Sequence, residues 1–100
     1  MIIQLLLFKM KYTKTTLDKL EAVVKECGYV LRYERGTFQS GYCILEEKKV
    51  VVLNKFLQTE GRINILIDLI PQLNIQIDLL SDESGKTYAE IVEGMETNEK

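Results

Sequence analysis

Leu17, Leu20, Val23, Val24 and Cys27 recur at intervals of three and four residues, which places them on one stripe of an α-helix. Glu21 and Lys25 stand at the i,i+4 spacing on its polar side. Thr15 or Thr16 suits the N-cap, because a hydroxyl there accepts a bond from a free first-turn N–H. Gly28 suits the C-terminal stop, since glycine tolerates the left-handed conformation found there. From Tyr29 the period changes to two. In YVLRYER, 29–35, Tyr29, Leu31 and Tyr33 face one way and Val30, Arg32 and Glu34 the other, the pattern of a strand with one half-polar face.

Gly36 breaks that strand. FQSGYCILE, 38–46, reads as a second, with Gly41 marking a bulge or a close backbone approach. KKVVVLN, 48–54, reads as a third. Val50 to Leu53 are apolar toward both faces, which places this strand centrally. The polar stretch 46–49, EEKK, is short enough for a tight hairpin although it lacks the Asn-Gly or Asp-Gly signal.

A second helix is expected from Thr59, with Glu60 favourable to the dipole in its first turn. Its stripe is Ile63, Leu66, Ile67, Ile70 and Leu73, widened by Ile65 and Leu69. Asp68 is the only charge between Ile63 and Ile70. A helix this apolar is buried by the sheet or by a second subunit, and Pro71 ends or kinks it. NIQIDLL, 74–80, reads as a short strand or a linker, and 81–85 as a loop. Tyr88, Ile91, Val92 and Met95 give a short third helix over 87–95. The expected fold class is α+β, in the order α-β-β-β-α-α, with a three-stranded antiparallel sheet and its helices on one face. The other face would carry Arg32 and Glu34, or Tyr29 and Tyr33.

One hundred residues suit a single domain, expected over 10–95 with a frayed tail at 96–100. The apolar run 2–8, IIQLLLF, is too short to span a bilayer. It also lacks the basic flank and cleavage site of a signal peptide. Two readings of residues 1–9 stand: a start-site extension, with translation beginning at Met10, or an added edge strand. The first is preferred, because KYTKTTLDKL after Met10 reads as a natural start.

The formal net charge is −2 and the pI about 5.2. This argues against nucleic acid as partner, since such binding runs on Lys and Arg contacts to phosphate. Residues 1–50 carry 9 basic and 6 acidic side chains, and residues 51–100 carry 4 and 9. The acidic excess lies between Asp82 and Glu99, where a solvated terminal segment explains it. Only Cys27 and Cys43 bear thiols, and no secretory signal accompanies them, so a reduced cytoplasmic protein is expected.

The chain has no histidine, which removes the commonest general base and the commonest metal ligand. Two isolated cysteines do not make a zinc site. RGTFQSG lacks the lysine and hydroxyl of a phosphate loop, and Ser40 lacks the strand–turn–helix setting of a hydrolase elbow. Cys43 reads as a small strand residue rather than a nucleophile. No catalytic set, metal or cofactor is expected.

The segment 32–43, RYERGTFQSGYC, combines two arginines, three aromatics and two glycines. Arginine forks onto carboxylate or phosphate, and tyrosine offers flat amphipathic area. Arg32, Tyr33, Arg35, Ser40 and Tyr42 are therefore candidates for binding a ligand or partner. Asn54 and Lys55, at the end of the central strand, join them. The competing reading is a hairpin with surface arginines and core aromatics, with Asn54 serving as a turn residue.

Two resemblances follow from these stretches. GYVLRYERGTFQSGYC and KKVVVLNKFLQTEGRI, within Lys11 to Leu73, resemble a family of small uncharacterised bacterial proteins. That likeness implies no activity. The order of helix, GY-V-R strand, glycine hairpin, apolar strand ending in LN and helix is similar to the ImmA/IrrE-type zinc metallopeptidases. Aligning Arg62 and Ile63 with that family's helix start puts Ile67, Asp68 and Pro71 where HExxH has His, Glu and His. Both ligands are missing and the acid is shortened to Asp68, so the likeness implies a scaffold stripped of metal and peptidase activity.

The function expected is a non-enzymatic interaction module, a homodimer or the partner of another protein, with no membrane contact. The alternative is a protein that binds a small anion, or an enzyme accessory, through the 32–43 loop.

Overall fold

The computed structural model describes residues 12–35 and 41–98, with side chains of the last helix followed as far as Glu93. The first helix, α1, spans Lys14–Glu26. Its cap is Thr13, not Thr15 or Thr16. Thr13 has extended backbone, and its Oγ1 accepts from the Thr16 N–H at 3.2 Å. Three closely spaced threonines offered equivalent hydroxyls, and the pattern alone does not choose among them.

The other end of α1 closes in a Schellman motif. Tyr29 N–H reaches back to Val24 O at 3.3 Å and Gly28 N–H to Lys25 O at 3.0 Å, with Gly28 at φ +90°. The motif turns the chain directly into β1, Val30–Glu34.

The sheet also contains β2, Tyr42–Leu45, and β3, Val50–Asn54, in the spatial order β1-β3-β2. β3 is central, as its two-sided apolar run required. β2 and β3 form the expected antiparallel hairpin through a 3-10 turn at Glu46–Lys48, with Lys49 left-handed at φ +53°. β1 does not pair with β2. It runs parallel to β3, with Val30 opposite Val50 and Glu34 opposite Asn54, so the sheet is mixed rather than antiparallel.

The cause lies in β3. A central strand needs a partner for the backbone N–H and C=O groups along each of its two edges. The tight 46–49 turn fixes β2 on one edge, which leaves the other for β1. The expectation of an antiparallel sheet rested on sequence neighbours pairing, which holds for most but not all consecutive strands.

Gly41 shows why glycine stands directly before β2. Its φ is +83°, and a Cβ there would lie 2.6 Å from Ile65 Cδ1. Its carbonyl accepts from Asn54 N–H at 2.9 Å, extending the β2–β3 pairing by one residue. Gly41→Ala is expected to cost about 1–3 kcal/mol, through the left-handed backbone and the displaced isoleucine. A urea melt measures it. A loss within error would contradict the close approach.

The second helix, α2, spans Thr59–Leu69 and passes into a 3-10 turn at Ile70–Gln72, where Pro71 ends the α-helical ladder. Residues 74–80 contain no strand. They hold a 3-10 turn at Ile77–Leu79 and link α2 to α3.

α3 spans Asp82–Asn98, longer than the expected 87–95, and it begins inside the expected loop 81–85. Ser81 explains this start. Its Oγ accepts from Ser84 N–H at 3.2 Å and its carbonyl from Gly85 N–H at 2.8 Å. Glu26 of α1 accepts from Ser81 N–H at 2.8 Å, pinning the two helices together. The face of α3 toward the core begins with Ser84 and Thr87, both buried, before it reaches Ile91. Small polar residues on the buried side therefore hid the first turns from a hydrophobic pattern.

The three described helices contribute to one core. Leu17, Leu20, Val23 and Val24 of α1, Ile63, Leu66 and Leu69 of α2, and Ile91 of α3 join Val51 and Leu53 of β3. Tyr29, Leu31, Tyr33, Tyr42 and Ile44 line the same side of the sheet. The helices thus cover one face, as expected. No helix among the described residues is long and apolar enough to cross a membrane.

Candidate functional site

The six candidate residues among the described ones do not all converge. Strand alternation sends Arg32 to the face that no helix among the described residues covers, the helix-free face below, where its Nε lies 3.1 Å from Glu34 Oε2 with both side chains exposed. Tyr33 points the opposite way, beneath α1 and α2. Its hydroxyl donates to Glu21, and the Arg62 guanidinium stacks on its ring at 4.2 Å. Tyr42 also faces the helices. Its hydroxyl accepts from Gln72 Nε2 at 3.0 Å and lies 3.4 Å from Asp68 Oδ2. Asp68 itself is exposed. Ser40 lies outside the described residues.

Arg35, Asn54 and Lys55 do come together, at the carboxyl ends of the parallel pair β1 and β3. Phe56, which the sequence reading passed over, is their centre. Arg35 Cζ lies 5.9 Å from its ring centroid and Lys55 Nζ 5.8 Å. Asn54 takes the turn role: its Oδ1 accepts from Phe56 N–H at 3.0 Å.

Two tyrosines on the inner face, Tyr29 and Tyr33, are held in the neutral form. Burial, then the hydrogen bond to Glu21, pushes the Tyr33 hydroxyl well above its ordinary value of 10.0. Burial also raises Tyr29, whose hydroxyl donates to Glu46 Oε1 at 2.9 Å and accepts from Asn74 N–H at 3.1 Å. Folding therefore favours the neutral phenols. Their contribution is complete below pH 10 and is lost as the pH rises further, because only the unfolded chain then ionises freely. Stability measured by denaturant should fall from about pH 10 upward, and Tyr33→Phe should flatten that fall. An unchanged slope in the variant would contradict the assignment.

Among the described residues no helix covers the opposite face of the sheet. Alternation and register place Val30, Val50 and Leu45 in one row across the three strands. Arg32, Val52 and Cys43 form the next row, and Glu34 and Asn54 follow at the tip end. Val30 is 54% exposed and Leu45 44% exposed, while Val52 at the centre is buried and stands outside the helix-side core. The Cys43 thiol is free and half-buried on this face. The signal for it was present in the sequence. Val50 to Leu53 required apolar surroundings on both sides, but the helices among the described residues cover only one.

A cleft of about 540 Å³ lies between α1 and α3, lined by Thr16, Lys19, Asp82, Glu83, Lys86 and neighbouring polar residues. Lys19 Nζ and Glu83 Oε2 face one another there at 3.7 Å. The lining sets Lys19 and Lys86 against Asp82, Glu83 and Glu90, so neither sign of charge is concentrated there. Among the described residues no three of Cys, Asp and Glu stand close enough together to hold a metal.

Comparison with protein-family models, curated proteins and solved structures finds no match to this chain.

Proposed function

We propose that this chain is a non-enzymatic interaction module that self-associates through the helix-free face of its sheet. The observation that carries the reading is the row Val30–Val50–Leu45, apolar and uncovered by any helix among the described residues. Its neighbours Arg32 and Glu34 favour a second copy as the occupant. A two-fold interface brings each residue of the face against its counterpart surface. A face with one cation and one anion side by side is then complementary to itself, since Arg32 of one copy can meet Glu34 of the other.

The face is small. Three strands spaced about 4.8 Å apart and five residues long give a footprint of about 14 by 17 Å. This falls below the ~800 Å² per partner of a standard interface, so micromolar or weaker association is expected. The free thiols of Cys27 and Cys43 suit a reducing compartment, and we place the module in the cytoplasm.

Light scattering across a concentration series tests the proposal. The wild-type chain should approach dimer mass at tens to hundreds of micromolar, the range such a face supports. Val30→Asp with Leu45→Asp should remain monomeric and keep its circular dichroism and melt, because neither side chain belongs to the helix-side core. A wild-type monomer throughout, or a variant that still dimerises, would sink it.

A further inference from the structure

Arg35, Lys55 and Phe56 form a tip at the end of β1 and β3, apart from the apolar row of the sheet face. Phe56 is 66% exposed. It sits in a connector, 55–58, whose backbone is held at several points. Lys55 N–H donates to Glu34 O at 3.0 Å, Phe56 N–H to Asn54 Oδ1 at 3.0 Å, and Leu57 N–H to Asn54 O at 3.1 Å. Arg62 adds two more bonds, Nε to Leu57 O at 2.9 Å and Nη2 to Lys55 O at 3.0 Å.

Within this fixed backbone Leu57 turns inward and packs against the core, while Phe56 turns out into water. The ring is thus presented by a pre-ordered loop, which lowers the ordering cost of any contact made with it. Arg35 and Lys55 flank it, and among the described residues neither is ion-paired to a carboxylate. Of the nearby acids, Glu34 is engaged by Arg32, and Glu60 lies in the first turn of α2.

The geometry points to a docking site for an acidic protein segment that carries an aromatic or aliphatic side chain beside its Asp or Glu residues. The apolar side chain covers Phe56, and the carboxylates meet Arg35 and Lys55. Aromatic and arginine anchors of this kind dominate binding energy at protein interfaces. Nucleic acid fits less well. The chain is net acidic, and one exposed ring with two cations is shorter than the stacking track and basic groove a strand requires.

A displayed library of random dodecapeptides, panned against the full chain, tests this. The leading sequence is then synthesised with a fluorophore and titrated by anisotropy. The selected sequences should share Asp or Glu next to an aromatic or aliphatic residue. Phe56→Ala and Lys55→Glu should each weaken binding by about ten-fold or more, and added salt should weaken it further. Val30→Asp should bind as wild type does, which separates this site from the sheet face. Selection without an acidic consensus, or binding by Phe56→Ala within about two-fold of wild type, would overturn the proposal. So would a Phe56-dependent affinity for phosphatidylserine vesicles or for single-stranded DNA in place of the peptides.

Discussion

Leu53→Ala is expected to lower the unfolding free energy by about 2–5 kcal/mol, while Leu45→Ala in the neighbouring hairpin strand changes it by less than about 1 kcal/mol. Both positions are leucines in one three-stranded sheet, and their difference is the face they occupy. Leu53 is fully buried and packs in the cluster with the residues of α1 and α2. Truncation there removes buried area and leaves a cavity that tight neighbours fill only partly. Leu45 is 44% exposed on the side that none of the described helices covers. The loss at Leu53 is a large fraction of the 5–15 kcal/mol typical of a domain this size. Urea denaturation at low protein concentration measures both. Equal losses would mean that the outer face is covered in the free chain.

Arg62→Ala is expected to cost about 2–3 kcal/mol, more than a surface arginine ordinarily carries. Hydrogen bonds from a charged donor contribute about 1.5–3 kcal/mol, and Arg62 makes two, to Lys55 O and Leu57 O. Its guanidinium also stacks on Tyr33, whose hydroxyl reaches Glu21 of α1. One side chain therefore ties the β3–α2 connector to β1 and, through Tyr33, to α1. Arg62→Lys should recover little of the loss, because an ammonium lacks the planar fork that serves two carbonyls and a ring at once. A double-mutant cycle with Tyr33→Phe and Tyr33→Leu separates the stacking contribution from the hydroxyl. A loss below about 0.5 kcal/mol for Arg62→Ala would show that the connector holds without it.

Much of the fold was legible because its hydrophobic periods are long and unmixed. α1, the central place of β3 and the burial of α2 all follow from stripes that no polar residue interrupts. What the pattern hid has specific causes. β1 and β2 both alternate and are neighbours in sequence, so nothing local says that β3 inserts between them. The first turns of α3 bury Ser84 and Thr87, and their start signal, Ser81, draws on Glu26 more than fifty residues away.

The candidate site was legible in composition but not in direction. Arg32 and Tyr33 are adjacent in sequence and point to opposite faces. Tyr33 and Tyr42 serve as struts under the helices rather than as contact area. Arg35, Asn54 and Lys55 do meet, yet the residue that organises them is Phe56. An apolar residue between a strand and a helix reads as core until the hydrogen bonds of Asn54 and Arg62 show that it is turned outward.

Cys43 allows the sheet face to be probed without mutation. It lies beside Val52 on the helix-free side, whereas Cys27 is buried at the end of α1. The measurement is the rate of Cys43 alkylation, followed by peptide mass spectrometry at low micromolar and at high micromolar chain concentration. Self-association through this face predicts that Cys43 becomes protected as concentration rises while Cys27 stays unreactive at both. A Cys43 rate that does not change with concentration, in a range where light scattering detects dimer, would place the contact elsewhere and contradict it.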